Sequence, residues 1–167
     1  IGGIMGGLNS EVKDDTETIL LESAYFQPSS IRKSARWLGM GTDAAFRFER
    51  GIDPDGVVRA LNRAAQLIAD TSGGDVCRGI VDEYPTRIET PQAISLRIGR
   101  VNGILGSSLD EGKIVTTLIN LGMTVSMTEQ PGCYTVNPPS YRVDISREID
   151  LIEEVACLVG YDQIELK

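Results

Sequence analysis

The sequence contains no histidine among its 167 residues. That absence removes the side chain that most often acts as a general base near neutral pH. With it go the Ser–His and Cys–His nucleophile pairs and most zinc sites. Chemistry here must rest on carboxylates, hydroxyls, backbone groups, or atoms brought by another segment. Cysteine is scarce too. Cys77, Cys133 and Cys157 are odd in number and show no paired spacing. They read as small buried hydrophobes of a reducing cytosol rather than as a disulfide framework. Long apolar runs are missing, against the roughly 20 residues that a membrane-spanning helix needs, so no membrane partner is expected. No charged segment with an apolar stretch opens the chain, as a secretion signal would. It begins instead at Ile1-Gly2-Gly3-Ile4-Met5-Gly6-Gly7, inside an apolar strand-like run, and is expected to be cut from a larger protein.

Positive charge is also in short supply. Sixteen basic residues stand against 24 acidic ones, a net charge of −8, where a free-standing nucleic-acid binder would carry a basic footprint. RNA contact must therefore come from a local patch. Arg32, Lys33, Arg36, Arg47 and Arg50 supply one, opposed by Asp43 and Glu49. A solvated helix face explains the same residues equally well.

What is present falls into two halves. In the first, residues 19–26 form a short apolar run of strand length broken by Glu22. Gln27-Pro28 with Ser29 or Ser30 as N-cap starts a helix whose Ile31, Ala35 and Leu38 share a face and which Gly39 ends. Asp53-Pro54 opens a second helix, with Val57, Leu61, Ala64 and Ile68 at helical spacing and Gly73-Gly74 as its stop. Residues 75–84 read as a strand. Strands alternating with helices predict an α/β layer. In the second half, Ile94, Leu96 and Ile98 alternate with Ser95 and Arg97 as in a half-buried strand. Ser108 and Glu111 form a capping-box pair before a helix with Ile114, Leu118 and Leu121 inward. A hairpin follows around residues 129–132, and a last helix spans about 148–159. That order suits a small winged-helix-like α+β unit. The boundaries expected are 1–88 and 92–165, with the linker near Pro85 to Pro91.

Four strings go beyond periodicity. Gly3-Ile4-Met5-Gly6-Gly7, Leu20-Leu21-Glu22-Ser23-Ala24-Tyr25-Phe26-Gln27-Pro28, residues 42–54 from Thr42 to Pro54, and Pro139-Ser140-Tyr141-Arg142-Val143-Asp144 with Asp150, Glu153, Glu154 and Gly160-Tyr161 resemble, in order and spacing, the beta subunits of bacterial phenylalanyl-tRNA synthetases. The resemblance covers essentially the whole chain. Departures are Ala45-Phe46, Cys157 and Glu165, none at a position assigned to function. The family also uses a histidine upstream of residue 1.

The resemblance implies an α/β editing domain in truncated form, followed by the winged-helix-like domain. It implies hydrolysis of tyrosine mischarged onto tRNA(Phe). Phenylalanine and tyrosine differ by one hydroxyl, which an apolar pocket cannot reject strongly, so a second hydrolytic site is needed. Glu22, inside an apolar run, is expected to be partly buried and in need of a donor. By resemblance it accepts from the tyrosyl hydroxyl. Gly6 allows close approach to the backbone. Thr42 and Ala44 form a wall, the threonine hydroxyl orienting water or the ester.

Near the end, Asp150, Glu153 and Glu154 share a helical face and Asp144 precedes them. An acidic solvated face explains this from the sequence alone. The resemblance implies instead Mg²⁺ at these four positions, shared with the alpha subunit. It further implies a cytoplasmic α2β2 heterotetramer that uses ATP, with aminoacylation performed outside this chain. The rival reading is a non-catalytic scaffold or RNA-binding module. DNA binding through the second half is disfavoured, because residues 89–167 carry six basic against eleven acidic side chains, a net −5.

Overall fold

The computed structural model describes residues 1–84 and 92–161. It divides into two compact units, Ile1–Ile88 and Glu89–Lys167. The expected linker at Pro85 to Pro91 and the departure at Glu165 lie outside the described residues.

The first unit is built on helices. Helix α1 spans Pro28–Leu38, α2 spans Asp43–Phe48 and α3 spans Val57–Ser72. Helix α1 starts earlier than its serines suggest. Gln27 is the N-cap and Pro28 sits at N1, where its fixed φ suits the first turn and its missing N–H costs nothing. Ile31 and Ala35 are buried with Ile4 and Ala45, and Phe26, Leu38, Met40 and Phe48 pack around them. Phe26 and Phe48 meet edge to face, their centroids 4.9 Å apart. Helix α3 begins at Val57 rather than at Asp53, because Asp53 Oδ1 accepts the Asp55 N–H at 3.1 Å and forms a turn first. Its predicted inner residues, Val57, Leu61, Ala64 and Ile68, are half-buried, and none is fully covered.

Two expected strands are absent among the described residues. Residues 19–26 and 75–84 take no regular structure. A strand exists through its ladder partner, and here neither segment has one. In the second segment Val76, Ile80, Val81 and Tyr84 are all exposed, so the apolar character of the run has no face to bury it.

The second unit is an α+β layer. Strands β1 (Ile94–Arg97), β2 (Thr124–Met127) and β3 (Cys133–Asn137) form an antiparallel sheet in the order β1-β3-β2. Ile94 pairs with Val136, and Val125 with the same Val136 from the other side. Helices α4 (Ile98–Leu105), α5 (Glu111–Asn120) and α6 (Glu148–Val159) complete it. Leu96, Val101, Ile114, Leu118, Val136, Leu151 and Val155 are completely inaccessible and form the centre of its core. Thus the chain as a whole mixes helix and sheet, with every described strand in this unit.

Helix α4 has no counterpart in the sequence reading. The alternation of Ile94, Leu96 and Ile98 ran past the true end of β1 at Arg97, and Gly99 and Gly103 weaken a helical pattern. The start of α5 also differs. Asp110, not Ser108, is the N-cap, accepting the Lys113 N–H at 3.3 Å. Glu111 occupies N1 and instead accepts a hydrogen bond from the Tyr134 hydroxyl. Asn102 stitches the α4–α5 connection. Its Nδ2 donates to the Leu109 carbonyl at 3.0 Å, while Oδ1 accepts from the Leu109 N–H at 2.8 Å and the Ser107 hydroxyl at 2.9 Å. No helix among the described residues is long and apolar enough to cross a membrane.

Candidate functional site: an open cleft in the first unit

The glycine-rich start, the segment around Glu22, and the N-terminal ends of α2 and α3 enclose an open cleft of about 1350 Å³. Local bonds hold these pieces in place. The Thr42 hydroxyl donates to the Ile4 carbonyl at 2.6 Å, and the same oxygen accepts the Ala45 N–H at 3.1 Å as the N-cap of α2. Ser23 Oγ donates to the Val57 carbonyl at 2.9 Å, tying the segment beside Glu22 to the first turn of α3.

Gly6, Glu22 and Ala44 line this cleft together. Thr42 does not. It borders a separate hollow of about 310 Å³ beside Phe46 and Glu49. Its hydroxyl is engaged on both sides with backbone. Glu22 is exposed, contrary to the expectation of partial burial, and among the described residues no hydrogen bond or ion pair engages its carboxylate. The run from 19 to 26 forms no strand, so it has no face that turns the carboxylate inward.

Two glycines of the opening segment play opposite parts. Gly3 is fixed by the fold, with φ +69°, and a Cβ there would lie 2.7 Å from Ile31 Cδ1 and 2.8 Å from Phe26. At Gly6 an added Cβ would meet nothing within 4 Å, and its φ is not positive. Nothing in the described structure requires glycine at position 6.

Sequence reasoning placed Arg47 in a basic patch but missed Arg59 and Arg63 beside the same cleft. Arg47, Arg59 and Arg63 line it as well. Arg59 is 3.5 Å from Asp53, and Arg63 donates to the Gln66 side chain at 3.0 Å. The spacing of Arg59 and Arg63, one helical turn apart, was the available signal. An open cleft lined by the carboxylates of Glu22, Asp43 and Asp53 and by the guanidinium groups of Arg47, Arg59 and Arg63 can take a ligand carrying both a hydrogen-bond donor and anionic charge.

In the second unit the four acidic residues do not converge on one point: two share an arginine, one caps a helix and one faces solvent. Arg142 forks between two of them. It reaches Asp144 at 3.0 and 2.7 Å and Glu154 at 3.2 and 2.7 Å. These contacts, Asp144 first and then Glu154, hold the guanidinium pKa far above its ordinary value, and Arg142 in turn holds the Asp144 carboxyl below the usual range. Asp150 caps α6. It accepts the N–H groups of Ser146 at 3.0 Å and Arg147 at 2.8 Å and a guanidinium bond from Arg147 at 3.0 Å. The Ser146 N–H is the largest cause of its lowered pKa. Glu153 faces solvent. Among the described residues no three His, Cys, Asp or Glu side chains gather closely enough to hold a metal ion. The positive charge that these carboxylates call for is already supplied by arginine and by backbone N–H groups. As arranged here, the donor set does not fit Mg²⁺.

Comparison with known proteins bears on both units. The family described as the B3/4 domain matches residues 1–73, and that described as the tRNA synthetase B5 domain matches residues 94–161. Proteins named phenylalanine–tRNA ligase beta subunit align along almost all of the chain. That of Syntrophus aciditrophicus is 60% identical over 98% of the chain, and that of Geobacter sulfurreducens 50% identical over 99%. That of Porphyromonas gingivalis is 41% identical over 99%. The chain spans about a fifth of the length of these relatives, 20% in each case.

Proposed function

The chain belongs to the phenylalanine–tRNA ligase beta-subunit family, and on that premise we propose that its first unit contributes to hydrolytic proofreading of tRNA(Phe) mischarged with tyrosine. Residues 1–88 are assigned to the editing domain and residues 92–165 to a small winged-helix-like domain, within which the B5 match at 94–161 lies. The parent enzyme is a cytoplasmic ATP- and Mg²⁺-dependent ligase that pairs this subunit with an alpha subunit and tRNA. Activation of phenylalanine is assigned to that other subunit.

One observation carries the reading. Gly6, Glu22 and Ala44, which the family resemblance singles out, line the same cleft, and Gly6 lacks a side chain that the fold leaves room for. A glycine that neither packing nor φ demands fits a wall that a ligand approaches.

Each residue then has a stated task. The tyrosyl hydroxyl donates to Glu22. Because Glu22 is exposed, selection arises when the aminoacyl group itself covers the carboxylate. A phenyl ring there strips water from an acceptor and returns nothing, at a cost of about 1–3 kcal/mol. Gly6 and Ala44 leave width for the ring. Thr42 is a positioning residue, since its hydroxyl joins the two walls. Arg47, Arg59 and Arg63 suit the phosphates of the RNA 3′ end. Attack on the ester falls to water, as the chain offers no histidine or cleft-lining cysteine nucleophile.

The test is deacylation of tyrosyl-tRNA(Phe) by the full subunit within its heterotetramer, with Glu22→Ala beside it. Loss of hydrolysis, with phenylalanine charging retained, is the expected result. Equal hydrolysis by both proteins overturns the assignment and favours a non-catalytic scaffold.

A further inference from the structure

The solvent face of α1 lies apart from the cleft-lining residues and combines two features that the proofreading reading leaves unused. The first is charge. Between Glu22 and Asp43 the chain carries no acidic residue, and its only charged side chains there are Arg32, Lys33 and Arg36, in a protein whose net charge is −8. Among the described residues none of the three enters an ion pair. Arg32 is anchored by a 3.1 Å bond to the Glu49 carbonyl.

The second feature is Trp37. It is the sole tryptophan of the chain, and it is 83% exposed on the last turn of α1. The helix dipole accounts for a cation at Arg36. It does not account for the largest aromatic side chain standing in water. Lys33, Arg36 and Trp37 stand at i, i+3 and i+4, so they share one face, while Ile31 and Ala35 turn the opposite face into the core.

We propose that this face is a contact site for single-stranded RNA, with a nucleobase stacked on Trp37 and phosphates paired to Lys33 and Arg36. A flat indole beside two unpaired cations matches what sequence-tolerant RNA binding requires, namely a stacking platform and a backbone-tracking charge. An apolar protein partner would match the indole but leave two cations desolvated and unpaired. The site is independent of Glu22 and Gly6.

Tryptophan fluorescence provides a direct reading, because all of it comes from position 37. The full 167-residue chain is titrated with a single-stranded RNA of about twelve nucleotides. Saturable quenching is expected at low salt, weakening as salt rises. Binding to fluorescein-labelled RNA is then followed by anisotropy. Trp37→Ala should weaken it about tenfold or more and Trp37→Phe much less. Lys33→Gln with Arg36→Gln should reduce the salt slope by about 1.4, the loss of two phosphate contacts on a single strand. Circular dichroism of each variant checks that these exposed changes leave the fold intact. Absence of quenching at low salt overturns the proposal. So does binding that Trp37→Ala leaves unchanged, or quenching that follows protein concentration without RNA, which marks a protein interface. A Glu22→Ala chain should bind the oligonucleotide normally, so failure of the proofreading assignment and failure of this one are separable.

Discussion

Thr42 holds Ile4 across 38 residues of sequence, its hydroxyl donating to the Ile4 carbonyl at 2.6 Å while accepting the Ala45 N–H at 3.1 Å. One oxygen thereby fixes the glycine-rich wall of the cleft to the start of α2. Loss of that oxygen in Thr42→Ala should cost about 1–2 kcal/mol, the usual range for an N-cap. Thr42→Ser should restore most of it. Urea unfolding of the three proteins reads the difference, and a Ser variant as weak as Ala would sink the tether.

The two glycines should respond oppositely. Gly3→Ala forces a Cβ at φ +69° against Ile31 and Phe26, and about 2 kcal/mol of destabilisation is expected. Gly6→Leu should change stability by no more than about 0.5 kcal/mol, since open space lies ahead of it. The same change should slow deacylation in the full subunit by narrowing the cleft. Thermal unfolding together with hydrolysis separates the two effects.

Glu148 gives the second unit an acid limit. Its carboxylate accepts the Arg97 backbone N–H at 2.9 Å and pairs with the Arg97 guanidinium, and Arg100 lies 3.1 Å away. The Arg97 side-chain bond is the main reason its pKa falls below 4.5. A lowered folded pKa means stabilisation fully present above the ordinary carboxylate range and lost as pH drops through the folded value. Glu148→Gln should therefore unfold more readily at pH 7, by about 1–2 kcal/mol, with the gap closing under acid. Parallel denaturation curves at every pH would contradict this.

Arg142 should be the organising cation of the acidic cluster. Replacing it with Met leaves Glu154, only 24% exposed, facing Asp144 without a partner. A loss of about 1–2 kcal/mol is expected. Millimolar Mg²⁺ should leave the melting temperature of the unaltered chain unchanged, and should raise that of Arg142→Met. A rise for the unaltered chain alone would show that the carboxylates admit a metal with Arg142 in place.

Elements with strong local signals were legible in the sequence. The inward face of α5, the span of α6 and the β2–β3 hairpin follow from spacing and turn residues, and burial agrees at Ile114, Leu118 and Val136. Where tertiary context decides, the sequence was silent or misleading. The runs at 19–26 and 75–84 have strand composition but no ladder partner among the described residues. Helix α4 was hidden by an alternation that continues one residue past β1. Gly6, Glu22 and Ala44 were brought together only by resemblance, because no local pattern says that residues 16 and 22 positions apart will share a cleft. Trp37 carried no signal until its exposure was known, and the one-turn spacing of Arg59 and Arg63 gained meaning only once both were seen to line the cleft.

Asn102 is followed by Gly103, a step at which the next backbone nitrogen readily attacks the side-chain carbonyl carbon, expelling ammonia and closing a ring that reopens to an acid. Three hydrogen bonds hold that side chain against Ser107 and Leu109, and helix α4 fixes the backbone behind it. Folding thus shields the chain from a slow chemical ageing to which its unfolded form is open. An aged molecule, with oxygen where the Leu109 carbonyl needs an N–H, would lose one of the bonds that had protected it.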